Sequence, residues 1–140
     1  MLEYKTTKEL ADNDLRQLYV AQGWISYTDA FDDLSVLVKD CMLVYSAWDG
    51  DKLVGLIRVV GDNQSIAYVQ DLLVLPAYQG KGIGRELLGY IIEKTKHIRQ
   101  FVLMTDRTDE NQHICEWYVR QGFIAFEQTG LIGYYLQRNP

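Results

Sequence analysis

Apolar and polar positions change rhythm several times along the chain, and each change marks an element. Leu2 to Lys5 alternates briefly, as a short edge strand does. Thr6 followed by Glu9 forms a capping-box pattern, and Leu10, Leu15, Leu18 and Tyr19 then recur at roughly helical spacing up to Gly23. Thr28 and Asp29 suit the cap of a second helix carrying Phe31, Leu34 and Val38. Met42 to Trp48 is aromatic and β-branched, Asp49-Gly50 is a hairpin signal, and Leu53 to Val60 is a second strand. Gly61-Asp62-Asn63 turns the chain into a third strand, Ile66 to Val74, which Pro76 ends. Ile83, Leu87, Leu88, Ile91 and Ile92 predict a third helix, weakened at Gly89 by about 1 kcal/mol relative to alanine. Gln100 to Met104 reads as a strand, and Asp109 caps a fourth helix that runs through Arg120 and closes at Gly122. Phe123 to Phe126 and Leu131 to Leu136 read as a closing pair of strands. The expectation is an α+β fold, a mixed and mainly antiparallel sheet of six to seven strands flanked by four helices.

Length and charge narrow this picture. A chain of 140 residues fits one domain, 1–140, large enough to bury a core without a disulfide or metal staple. Fourteen basic against nineteen acidic residues give a net charge of -5, which speaks against a nucleic-acid binder because phosphate neutralisation needs a basic face. Cys41 and Cys115 have no metal-ligand spacing around them, and His97 and His113 lie far apart, so no metal is expected. No apolar run reaches the length of a membrane span, and the first residues lack the pattern of a signal peptide. A cytoplasmic protein that engages no membrane is expected.

The chemistry concentrates where a strand runs through a glycine-dense loop into a helix, over Val69 to Arg85. Glycines let backbone N–H groups approach a ligand, and the unpaired N–H groups at a helix start favour a phosphate or pyrophosphate. Lys81 and Arg85 add positive charge. Gly82 after Lys81 breaks the Walker pattern, and Arg85 stands where the dinucleotide fingerprint needs glycine.

Gln79-Gly80-Lys81-Gly82-Ile83-Gly84 resembles the Gln/Arg-x-x-Gly-x-Gly/Ala motif of the GNAT superfamily of N-acetyltransferases. Downstream, Asn111, Trp117-Tyr118 and Gly122-Phe123 resemble that family's helix-to-strand pattern, and the order of elements is similar over nearly the whole chain. The resemblance is to a small, single-domain bacterial-type member. It implies acetyl-coenzyme A as cosubstrate and transfer of the acetyl group to a primary amine by direct attack on the thioester. Gln79, Gly80, Lys81, Gly82, Ile83, Gly84 and Arg85 would then hold the pyrophosphate. Backbone groups of Leu72 and Val74 would meet the pantetheine arm.

The same resemblance gives Tyr118 the role of acid toward the leaving thiolate, with an aromatic packing role beside Trp117 as the alternative. Asn111 would bind the cofactor or support the first turn of its helix. An ammonium must lose its proton before it attacks, at about 1.36 kcal/mol per unit of pKa above the working pH. Asp71 is the candidate carboxylate for that step, and a capping or solvent-facing role is the alternative. Trp24, Tyr27 and Tyr134 fall in regions that line the acceptor side in the family, where aromatic walls suit an amine. The acceptor that the resemblance implies is a small-molecule or peptide amine, and a homodimer through the C-terminal strands is compatible with this reading. A noncatalytic acyl-coenzyme A sensor of the same fold is the competing reading.

Overall fold

The computed structural model describes residues 1–138, and two hairpin turns organise its sheet. Strand β2 (Leu43–Asp49) turns at Gly50 into β3 (Lys52–Gly61). Next, β3 turns into β4 (Ile66–Val74) around Asp62, whose carboxylate accepts the N–H groups of Gln64, Ser65 and Ile66. The Ser65 hydroxyl, which also donates to this carboxylate, and then those backbone bonds hold the Asp62 carboxyl well below the usual carboxylate range. Strand β1 (Leu2–Lys5) lies antiparallel beside β2, and β5 (Gln100–Leu103) lies parallel beside β4. The sheet order is β1-β2-β3-β4-β5. Helices α1 (Asp12–Ala21), α2 (Ile25–Ala30), α3 (Val36–Lys39), α4 (Ile83–Lys94) and α5 (Gln112–Arg120) complete the regular structure.

The central strand β3 is buried on both faces from Leu53 to Val59. On one face, α4 packs so closely that a Cβ on Gly55 would lie 3.0 Å from the Ile83 side chain and 3.2 Å from Leu87. Glycine at this position sets the depth at which the start of α4 is seated. The opposite face carries Leu15, Leu18 and Tyr19 of α1, all fully buried. The chain divides into two compact units, Met1–Met104 and the residues from Thr105 onward.

Four expectations are corrected. First, α1 begins at Asp12 rather than at the Thr6–Glu9 box, because the Thr7 hydroxyl accepts the Glu9 N–H in a local turn. Second, the expected helix over Phe31, Leu34 and Val38 is divided into α2 and α3. Asp12 Oδ1 accepts the Leu34 N–H, and Arg16 donates to the carbonyls of Thr28, Phe31 and Asp32, so α1 side chains satisfy backbone groups that a continuous helix would pair internally. Leu34 and Val38 are still fully buried. Third, α5 starts at Gln112, three residues after Asp109. Fourth, the closing strands Phe123 to Phe126 and Leu131 to Leu136 do not form among the described residues. The sheet therefore has five strands rather than six or seven, and five helices rather than four. A strand needs a ladder partner. The stretch around Phe126–Gln128 instead makes a 3-10 turn, in which Thr129 bonds back to the Phe126 carbonyl and accepts the Leu131 N–H.

Candidate active site

The sheet opens beside β4. Its pairing with β5 runs only from Ile66 opposite Gln100 to Val69 opposite Leu103. From Gln70 to Val74 the β5 side of β4 has no strand partner among the described residues, while the β3 side stays paired up to Gly55 opposite Val74. Backbone direction alternates along a strand. The Leu75 N–H donates to Val54 on β3, so the backbone groups of Val74 and Leu72 point to the opened side. The Val74 carbonyl agrees with this direction, since the side-chain amides of Gln79 (3.0 Å) and Gln22 both donate to it. The side chains of Leu72 and Val74 are half-buried.

The loop after β4 is fixed at its base. Leu75 leads into a 3-10 turn, Pro76–Tyr78, whose Tyr78 hydroxyl donates to Asp49 Oδ2 at 2.5 Å in the β2–β3 turn. Gly80 and Gly82 then adopt φ of +77° and +84°, the left-handed region that side chains rarely enter. A Cβ at either position would meet nothing within 4 Å, so the backbone conformation is what selects glycine there. The first helical bond of α4 runs from Glu86 N–H to Gly82 carbonyl. The N–H groups of Ile83, Gly84 and Arg85 therefore have no partner inside the helix. Lys81 and Arg85 are exposed at this end, with the Lys81 ammonium 5.5 Å from the Tyr78 ring centroid. Ile83 is a core side chain, and only its backbone is available to a ligand. The arrangement is an anion cradle at the end of the opened strand.

On the α1 face of the same strand, Asp71 is 3% exposed. Its Oδ2 receives Arg58 Nε at 2.5 Å and the Tyr19 hydroxyl at 2.7 Å, and its Oδ1 receives the Tyr27 hydroxyl at 3.2 Å. Asp71 is thus neither solvent-facing nor a simple cap, and three donors converge on the carboxylate considered as a base. Burial, then the Asp71 charge, pushes the Tyr19 phenol far above its ordinary value. Trp24, Tyr19 and Tyr27 form a ring cluster, with centroids 5.2 to 6.2 Å apart. The structure therefore brings the candidate base Asp71 together with two candidate acceptor residues, Trp24 and Tyr27. Arg58 was missed by sequence reasoning. A lone arginine inside the apolar run Leu53 to Val60, opposite a lone aspartate in the next strand, was the available signal.

The unit from Thr105 onward holds the remaining candidates. Tyr118 packs edge-on against Trp117 and Phe123, at centroid distances of 5.1 and 5.7 Å. Burial pushes its phenol up to about 12, so it holds its proton at neutral pH. The Asn111 amide donates to Thr105 Oγ1 and to the Asp106 carbonyl, pinning its own loop. Tyr134 is 90% exposed. No group of three His, Cys, Asp or Glu side chains with metal-holding geometry occurs among the described residues. No helix among them is long and apolar enough to cross a membrane.

An opened strand runs directly into this glycine turn and helix start, and comparison with known proteins identifies the family. Residues 8–123 match the model of the Acetyltransferase (GNAT) family, and the chain belongs to that family. Its fold superposes on an acetyltransferase of the GNAT family from Streptococcus pneumoniae with a TM-score of 0.83 and 33% identity, covering 100% of both chains. An uncharacterized N-acetyltransferase of Prochlorococcus marinus is 30% identical over 99 residues, which is 66% of this chain and 54% of that protein. Streptothricin acetyltransferase A of Bacillus subtilis is 26% identical over 98 residues, 70% of this chain and 57% of that protein. The chain thus spans little more than half the length of these two curated relatives.

Proposed function

We propose that the protein is an acetyl-coenzyme A-dependent N-acetyltransferase acting on a primary amine of a small molecule or peptide. The observation that carries this reading is the opened edge of β4 running into the Gln79–Arg85 cradle. Backbone groups of Leu72 and the N–H of Val74 bind the pantetheine arm, the Val74 carbonyl being already held by the Gln22 and Gln79 amides. The N–H groups of Ile83, Gly84 and Arg85, with the Lys81 and Arg85 charges, bind the pyrophosphate. The amine, having lost its ammonium proton to solvent, attacks the thioester carbonyl carbon with its nitrogen lone pair. The nitrogen of the tetrahedral intermediate releases a further proton to water, and the intermediate collapses to the amide with cleavage of the C–S bond. A backbone N–H near Val74 supports the oxyanion. Tyr118 supplies the proton to the departing thiolate, a role supported by its place in the family pattern and by a phenol that stays neutral at the working pH. Asn111 and Tyr134 remain cofactor and acceptor residues on the strength of the resemblance. The family match runs through the boundary at Thr105, which supports treating 1–140 as one transferase domain.

The test is thermal unfolding with acetyl-coenzyme A, coenzyme A, ATP and NAD in parallel. A ligand at 100 times its dissociation constant adds about 2.7 kcal/mol, a rise on the order of 10 °C for a domain of this size. A shift with the two coenzyme A species is expected, and a preference for ATP or NAD would remove the cradle assignment. Acetylation of streptothricin, spermidine or a lysine peptide separates the transferase from a noncatalytic sensor. Tyr118→Phe then lowers turnover far more than acetyl-coenzyme A affinity, and unchanged turnover rules out the acid role.

A further inference from the structure

Helix α2 has six residues, none of them buried, and α3 has four. Neither length is stable by its own backbone bonds, so tertiary contacts must hold both against the sheet. One buried guanidinium supplies several of those contacts. Arg58 Nε pairs with Asp71 on β4, its Nη1 donates to the Leu37 carbonyl of α3 at 3.0 Å, and its Nη2 donates to the Tyr27 hydroxyl of α2 at 3.3 Å. The Tyr27 hydroxyl also donates to Asp71 and accepts the Gln70 side-chain amide at 3.1 Å. One donor and two acceptor positions are thereby filled, which is the full capacity of a phenol. That hydroxyl has no hydrogen bond left for a substrate, and its half-buried ring remains for contact.

We infer that Arg58 and Asp71 are positioning residues, a buried latch that seats α2 through the Tyr27 hydroxyl and so sets the aromatic wall of Tyr27 and Trp24 that receives the acceptor amine. The inference rests on the proposed transferase reading and deepens it. Asp71 acts through Tyr27 and takes no proton from the substrate. The side chains of the latch come from β3, β4 and α2, and the cradle at Gln79–Arg85 contains none of them.

Tyr27→Phe tests the latch with the full chain, because it removes one oxygen and keeps the ring. Amide hydrogen exchange over residues 25–30 should accelerate about tenfold, the equivalent of one hydrogen bond to charged partners, while β3 and α4 remain unchanged. With streptothricin, spermidine or a lysine peptide as acceptor, KM for the amine should rise about tenfold. The acetyl-coenzyme A dissociation constant should stay within about twofold and the pH profile of turnover should keep its shape. Unchanged exchange over 25–30 overturns the latch, and faster exchange with unchanged acceptor KM overturns its link to the acceptor. A displaced acid limb in the pH profile also overturns the inference, since it returns Asp71 to proton transfer. Parent protein that acetylates none of the three amines overturns the transferase reading itself, before any variant is compared.

Discussion

Strands β3 and β4 carry two faces built on different principles. Toward α4, Gly55 meets Ile83 and Leu87, an apolar contact so close that a methyl group at Gly55 would push those side chains back by a few tenths of an ångström. Toward α1, the same strands bury Arg58 against Asp71, with Tyr19 and Tyr27 completing the coordination. Apolar packing is non-directional and tolerates small shifts, whereas a buried ion pair demands defined partners at defined distances. One face seats the helix that begins at the Gly80–Gly82 turn. The other orients two short helices that cannot orient themselves.

Removing one partner on the polar face should have the largest effect. Asp71→Ala leaves Arg58 buried and uncompensated, and chemical denaturation should show a loss of about 3–5 kcal/mol. Replacing both residues, as Arg58→Met with Asp71→Leu, should recover much of that stability while the acceptor KM stays raised. A loss under about 1 kcal/mol in the single variant would mean that water reaches the pair. On the apolar face, Gly55→Val should cost about 1–3 kcal/mol by overpacking. Because it displaces the first turn of α4, it should also weaken the stabilisation by acetyl-coenzyme A. Unaltered cofactor binding in a destabilised Gly55→Val protein would separate the seat of α4 from the cradle.

The smallest effect is alkaline. The buried Tyr19 phenol has a raised pKa, so its contribution is fully present below its ordinary value of 10.0 and is lost as pH climbs beyond it. Tyr19→Phe should flatten that decline by about 1.4 kcal/mol per pH unit. An identical slope in the variant would show that the Tyr19 hydroxyl is solvated.

Local pattern sufficed where neighbours in sequence are also neighbours in space. The β2–β3–β4 meander follows from Asp49-Gly50 and from the turn around Asp62, and the cradle follows from glycines whose positive φ only that residue adopts freely. The same local reading failed at Thr6, at Phe31 and after Gly122. At the first, Thr7 bonds within its own turn. At the second, Asp12 and Arg16 reach across from another helix to claim backbone groups. At the third, two apolar runs find no ladder partner among the described residues.

Consecutive residues were therefore enough to specify the meander and the glycine turn into α4, because each rests on short-range geometry. The role of Asp71 emerged only once the chain was folded. Its partners Arg58 and Tyr19 lie 13 and 52 residues away along the chain, and a one-residue irregularity between Arg58 and Val59 sets which side chains meet across the strands. A carboxylate read in isolation looks like a base. In the folded chain it accepts from a guanidinium and two phenols, because tertiary contacts and not the residue type fix what surrounds a buried charge.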